Sequence, residues 1–319
     1  MPKAFTIDLG ATSAKCAFFD NDKVIKTFVY DTTEKKDLLD NISKETFRVA
    51  DENGINMQEL DFVGIAVCGI VDNETGTVLY STNLGWKNYP TRTELERLFN
   101  NKNIVVLNDA KAATYGEWSV SLNREPDSMA LFTIGTGVGG GAIFNRKLVF
   151  GDNTGLPSEP GHGGGFQTEY QCDCGLIGCL EPVSSATGIE RKLRAVGANS
   201  VGPLGQIYAV KKNDLHIIDV AELFIQGDEE VVNVFRENLE PLAKCISVLI
   251  HFFDLSMVVI GGGPSNLGIP FLNIIKEILK KYVLVEFYEK IKLSSSELGN
   301  LVGAWGVYQY GVDNIINKK

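Results

Sequence analysis

The sequence predicts a two-domain α/β protein built from two related halves. The first observation is an internal echo: Phe5-Thr6-Ile7-Asp8-Leu9-Gly10 recurs as Phe132-Thr133-Ile134-Gly135-Thr136-Gly137, and each copy leads through small residues into a second strand-like run, CAFFD or AIFNRKLVF. The second is length, because 319 residues exceed what one compact core holds. The third is the order of the rest, short apolar strands that end in glycine or carboxylate and run into helical segments, as in open α/β sheets.

Taken in order, each half opens with strand, tight turn, strand. Such a turn presents backbone N–H groups and forms an anion-binding concavity, so two of them facing each other would hold a polyphosphate. Asp61 to Gly69 reads as a buried strand ending at glycine, and Val71 to Tyr80 as a turn between short strands. Asn103 to Asp109 is another apolar strand, followed by a helical run from Ala110 to Trp118. Asp109 thereby falls at a strand's C-terminal end, where such sheets bind ligands; the alternative is that it caps the helix. Val231 to Phe253 has helical periodicity, Ser256 to Ile260 is a strand running into Gly261, Gly262 and Gly263, and Pro270 to Tyr282 reads as a helix. The last run, Leu298 to Ile316, carries Gly299, Gly303 and Gly306 at spacings that permit close packing, back onto the first domain. The domains expected are 1–118, completed by 298–319, and 119–297, with the boundary near 118–128 taken from the echo alone.

Residues 159 to 181 concentrate the chemistry. Cys172, Cys174 and Cys179 with His162 supply three thiolates and one imidazole, the set that closes a tetrahedral zinc site and leaves no position for a catalytic water. Gly175 and Gly178 let the short loop fold back. The alternative is a disulfide plus a spare thiol, which reducing compartments disfavour. Cys16, Cys68 and Cys245 lie in apolar segments and read as buried small hydrophobes, while His216 and His251 have no metal-binding company.

Composition excludes several classes. A net charge of −10 argues against general affinity for nucleic acid, no apolar run approaches a membrane span, and nothing marks the chain for export, so a cytoplasmic protein is expected. Gly135, Gly137 and Gly140 satisfy the dinucleotide fingerprint, but the segment after them suits a hairpin rather than the helix that motif requires. No P-loop sequence is present.

These residues resemble the ROK family, bacterial sugar kinases and repressors with a duplicated, ribonuclease H-like, actin-like ATPase fold. The likeness covers nearly the whole chain. Asp8-Leu-Gly-Ala-Thr12 is similar to the family's first phosphate loop, Gly135 to Gly141 to its second, Val258 to Gly263 to its nucleoside-binding glycines, and Glu159-x-Gly-His162 with Cys172-x-Cys-Gly-x-x-Gly-Cys-x-Glu181 to its zinc signature. The resemblance implies an ATP-dependent kinase, glucokinase-like and acting on O6 of a hexose. Asp109 is then the base, and Gly69, Asn83, Asn108, Glu159, His162 and Glu181 face the sugar. Nucleotide falls to Asp8, Gly10, Thr12, Gly135, Thr136, Gly137, Gly261, Gly262 and Gly263, magnesium to Asp8 through water, structural zinc to the Cys/His set, and the assembly is a homodimer. The chain departs from the pattern at Cys68, Ser13, Pro160 and the run Gly163-Gly164-Gly165, which leaves N-acylhexosamine, fructose, allose or a β-glucoside open as substrate. The alternatives are a sugar-responsive transcriptional regulator, for which no basic helix-turn-helix precedes residue 8, or a non-catalytic sugar sensor.

Overall fold

The computed structural model describes residues 2–151 and 159–318. Its strands and helices run β1 (Lys3–Leu9), β2 (Ser13–Asp20), β3 (Lys23–Asp31), α1 (Leu38–Glu52), β4 (Phe62–Val67), β5 (Ile70–Asp72), β6 (Thr77–Ser81), β7 (Trp86–Tyr89), α2 (Thr91–Phe99), β8 (Ile104–Asn108) and α3 (Asp109–Gly116). Then come β9 (Met129–Ile134), β10 (Val138–Phe144), β11 (Lys147–Leu148), α4 (Glu181–Ser184), α5 (Ala186–Gly197), α6 (Pro203–Lys211), α7 (Ala221–Gln226) and α8 (Glu229–Phe253). The chain finishes with β12 (Met257–Gly261), α9 (Ile269–Leu279), α10 (Val285–Tyr288), β13 (Lys292–Ser295) and α11 (Val302–Gly311).

The echo read from the sequence is structural. Strand order is β3-β2-β1-β4-β8 in one sheet and β11-β10-β9-β12-β13 in the other. In each, the opening strand pairs antiparallel with the strand after its turn and parallel with a later one: β1 with β2 and β4, β9 with β10 and β12. The run from Ala142 to Phe150 is not one strand. It breaks at Asn145 and Arg146, both at positive φ, into the end of β10 and the short β11, the geometry a two-residue hairpin turn requires.

Contacts divide the chain into two units, Met1–Glu125 with Arg146–Pro157 and Glu297–Lys319, and Pro126–Asn145 with Ser158–Ser296. Of the described residues, 146–151 group with the first unit, whereas the echo places them in the second domain. In the first unit, Phe5, Ile7 and Leu9 of β1 pack with Val63 and Ile65 of β4 and the buried stripe Leu38, Leu39, Ile42 and Val49 of α1. Its C-terminal helix α11 is seated by glycines. A Cβ on Gly306 would stand 1.7 Å from the Ala112 carbonyl oxygen of α3, and one on Gly64 would stand 2.1 Å from Val307. The core of the second unit forms around α8, whose N-terminus is capped by Asp228 accepting from Val231 N at 3.1 Å. Val234, Phe235, Leu242 and Ile246 make its buried face, the i, i+1, i+8 and i+12 spacing of a helix stripe. Among the described residues no helix is long and apolar enough to cross a membrane.

Candidate active-site residues

In the first unit the turn after β1 is tied to the segment that follows β3. Gly10 N donates to Ser13 O at 2.9 Å, Thr32 N to Thr12 O at 3.1 Å and Thr32 Oγ1 to Gly10 O at 3.1 Å. Lys35 Nζ donates to the carbonyl oxygens of Ala11 and Thr32. Lys35 thereby brings an ammonium to this turn. Sequence reading missed it, because local spacing does not link residue 35 to residue 11.

Asp8 sits near the end of β1 between Lys15 of β2 and Ala66 of β4. Burial pushes its carboxyl pKa up and Lys15 pulls it down, and no hydrogen-bond donor among the described residues reaches it. A Cβ on Gly303 of α11 would lie 2.6 Å from the Asp8 carboxyl carbon, so glycine there makes the room. A largely desolvated carboxylate without donors fits a divalent cation, whose charge offsets the cost of burial.

Gly69, Asn83, Asn108 and Asp109 come together beside the end of β8. Asn108 caps α3, its Oδ1 accepting from Lys111 N at 3.1 Å, and its Nδ2 donates to Gly69 O at 3.0 Å and to Asp109 Oδ1 at 3.0 Å. Asp109 Oδ1 also accepts from Ala110 N at 2.9 Å. The N-cap of α3 is Asn108, one residue before the position the sequence offered, while Asp109 also accepts from an amide of the first turn. The Asn108 amide spends both N–H groups within the protein, which makes it an orienting group for the carboxylate. Gly69, at φ 136°, is required by close approach: a Cβ would stand 2.6 Å from Tyr80 O. Cys68 and Ser81 complete the cluster, with Ser81 Oγ donating to Cys68 O at 2.6 Å. Burial first, then the Asp109 charge, raise the Cys68 thiol pKa, and Asn83 hydrogen-bonds to it.

In the second unit the turn Gly135 to Gly137 closes on itself, Gly135 N donating to Gly137 O at 2.9 Å. Strand β10 follows without a helix, so the dinucleotide fingerprint is set aside as expected. Thr136 is exposed at the tip. The three glycines that close β12 and follow it differ: Gly262 has φ 93° and a Cβ there would collide with Ile134 O at 2.0 Å, whereas nothing lies within 4 Å of one on Gly263. Gly261 belongs to β12. The second unit also brings Glu181 to the turn, its Oε2 accepting from Val138 N at 2.9 Å.

The four metal-ligand candidates converge. Ligand atoms of His162, Cys172, Cys174 and Cys179 all lie within 4.8 Å of one another. His162 Nδ1 is 3.6 Å from Cys172 Sγ, and Cys174 Sγ is 3.6 Å from Cys179 Sγ. Gly175 at φ 82° and Gly178 at φ 79° make the return. Gly163 N donates to Cys179 Sγ at 3.4 Å. All six cysteines are free thiols, so the disulfide alternative is not realised. Without metal, burial pushes the Cys172 thiol up to about 12, and the backbone N–H of Leu176 lowers that of Cys174. Three sulfurs and one imidazole at this separation fit zinc. Glu159 is exposed, its carbonyl accepting from His162 N at 3.1 Å. The run Gly163, Gly164 and Gly165 has φ of 73°, 105° and 59°. Left-handed backbone, rather than lack of space, requires glycine at Gly163 and Gly165, since a Cβ on either meets nothing within 4 Å.

The duplicated sheets and this set of turns define a class, the two-domain α/β proteins of the actin-like ATPase fold. The ROK family model matches residues 4–310, and the chain belongs to that family. It is 31% identical over 314 residues to a glucokinase of Thermotoga maritima, covering 95% of each chain. It is 24% identical over 318 residues to an N-acetylmannosamine kinase of Haemophilus influenzae, covering 99% of this chain and 97% of the relative. The crystal structure of a ROK family glucokinase from Streptomyces griseus, in complex with glucose and AMPPNP, superposes with a TM-score of 0.79 at 25% identity, covering 97% of this chain and 98% of that one.

Proposed function

We propose that the protein is an ATP-dependent kinase that phosphorylates a hydroxyl of a hexose or hexose derivative, O6 by family resemblance, with Asp109 as the base. The observation that carries this reading is the Asn108–Asp109 pair: a carboxylate at the head of α3, held through one oxygen by its neighbour's amide and by Ala110 N. The partial positive charge of a helix N-terminus favours the ionised form a base needs. Sugar kinases among the similar proteins give independent support.

In phosphoryl transfer the transition state is loose, so positioning and charge neutralisation do most of the work and the base accepts its proton late. Asp109 orients the hydroxyl and takes that proton. Asn83, Glu159, His162 and Glu181 hydrogen-bond the remaining hydroxyls, each of which would lose affinity if left unpaired. The turns at Gly10 to Thr12 and Gly135 to Gly137 offer N–H groups to phosphate, Lys35 adds positive charge at the first, and Gly261 to Gly263 border the nucleoside. Magnesium, held by Asp8 through water, would neutralise charge on the β- and γ-phosphates. Zinc on His162, Cys172, Cys174 and Cys179 would fix the imidazole's tautomer and leave its other nitrogen to the sugar. The assembly proposed is a homodimer, which sedimentation tests.

A coupled ADP-release screen across glucose, N-acetylmannosamine, N-acetylglucosamine, mannose, fructose, allose and β-glucosides tests the function. Sugar-dependent ADP release is expected with at least one. Sugar binding without ADP release on any would overturn the kinase reading in favour of a regulator or sensor.

A further inference from the structure

The polar contacts of Glu181 extend from the metal-ligand loop to the turn read above as the second phosphate loop. Its Oε2 accepts from Val138 N at 2.9 Å. Its own backbone N donates to Gly161 O at 3.0 Å, next to His162. Steric evidence runs the same way. A Cβ on Gly137 would stand 2.3 Å from Glu181 Oε2, and one on Gly161 would stand 2.5 Å from Val138 O. Chain order adds that Cys179, one of the ligand candidates, precedes Glu181 by two residues. Glu181, turn and ligand loop are thus in mutual contact, and glycine at Gly137 and Gly161 is what allows it.

We propose that Glu181 is a positioning residue that straps the Gly135–Gly137 turn to the metal-bound loop, so that nucleotide affinity depends on metal occupancy even before any sugar binds. The proposal rests on reading that turn as a phosphate loop and adds to the sugar contact of the same carboxylate. A carboxylate accepts several hydrogen bonds, so Oε2 holds Val138 while the other oxygen remains for a hydroxyl. The strap fixes the direction of the Val138 N–H and of the turn preceding it. Metal holds the far end, because Cys172 and Cys179 lose their fixed separation when nothing bridges them.

Two measurements on the full chain in the absence of sugar test it: hydrogen exchange of the Val138 amide by NMR, and the dissociation constant of AMPPNP by calorimetry. Glu181→Ala is expected to speed Val138 exchange and weaken AMPPNP about tenfold, the scale of one hydrogen bond to a charged group. Glu181→Gln, whose amide oxygen still accepts, is expected to retain protection and nucleotide affinity. Removing zinc from the wild-type protein with a chelator, its fold verified by circular dichroism, is expected to weaken AMPPNP to the level of Glu181→Ala, and removing it from Glu181→Ala to add nothing. Unchanged Val138 exchange in Glu181→Ala, equal losses in the Gln and Ala variants, or losses from metal removal and Glu181→Ala that add would each overturn the proposal. Because no turnover is read, a protein with no kinase activity on any sugar would leave these outcomes interpretable.

Discussion

Asp109 owes its orientation to Asn108. The cap fixes the start of α3, and the same amide that reaches Gly69 O also holds Asp109 Oδ1. Asp8 is the contrasting carboxylate, left without donors and carrying a pKa raised by burial. A folded-state pKa above the unfolded one means that ionisation costs stability, and the cost grows as pH rises through the folded value. Asp8→Asn is therefore expected to raise the melting temperature of the metal-free protein at neutral pH, to make no difference below the ordinary carboxylate pKa of 3.8, and to lower turnover by orders of magnitude. Calorimetry at two pH values beside a kinetic assay checks both parts. Asp109 stood out in the sequence because it follows an apolar strand, and Asp8 through the resemblance of the turn after β1 to a phosphate loop. The orienting role of Asn108 did not, since a side-chain amide's partners depend on how Gly69 folds back from β4. Lys35 and Ser81 escaped for the same reason: each meets its turn through tertiary contact.

Among elements, α11 and the metal-ligand loop set the geometry. Gly303, Gly306 and Gly116 let α11 approach Asp8 and α3 at distances no side chain allows. Glu117, buried just past α3, accepts from Glu297 N at 3.0 Å and Leu298 N at 3.1 Å, fixing where the chain enters the turn before α11. Gly306→Ala forces a Cβ onto the Ala112 carbonyl, so a loss of about 1–3 kcal/mol or more in denaturant unfolding is expected, with kcat falling as α3 shifts. The sequence announced the small residues of this helix, but their partners are named only by the packing. The convergence of His162, Cys172, Cys174 and Cys179 was legible, because three thiols and an imidazole at short spacing have few uses. Chelation is expected to lower the melting temperature and readdition of zinc to restore it; an unchanged melting curve after verified removal would show the loop to be held without metal.

At the scale of the whole molecule, the duplication is the feature that sequence and structure state in common. A six-residue echo foretold two sheets that share strand order and sense of pairing over β1-β2-β4 and β9-β10-β12. The boundary was less legible. An echo marks where a half begins but not which later segments group with it, as residues 146–151 do with the first unit. Substrate identity is the least legible of all, since the glycine run after His162 answers to left-handed backbone before it answers to pocket size.

The claim that Asp109 is the base of an ATP-dependent sugar kinase is tested most directly by Asp109→Asn, with kcat measured on the accepted sugar and AMPPNP affinity measured beside it. The expected result is a fall in kcat of roughly 10²–10⁴-fold, the range of a positioned acid or base, with nucleotide affinity little changed. Turnover that survives the substitution would contradict it.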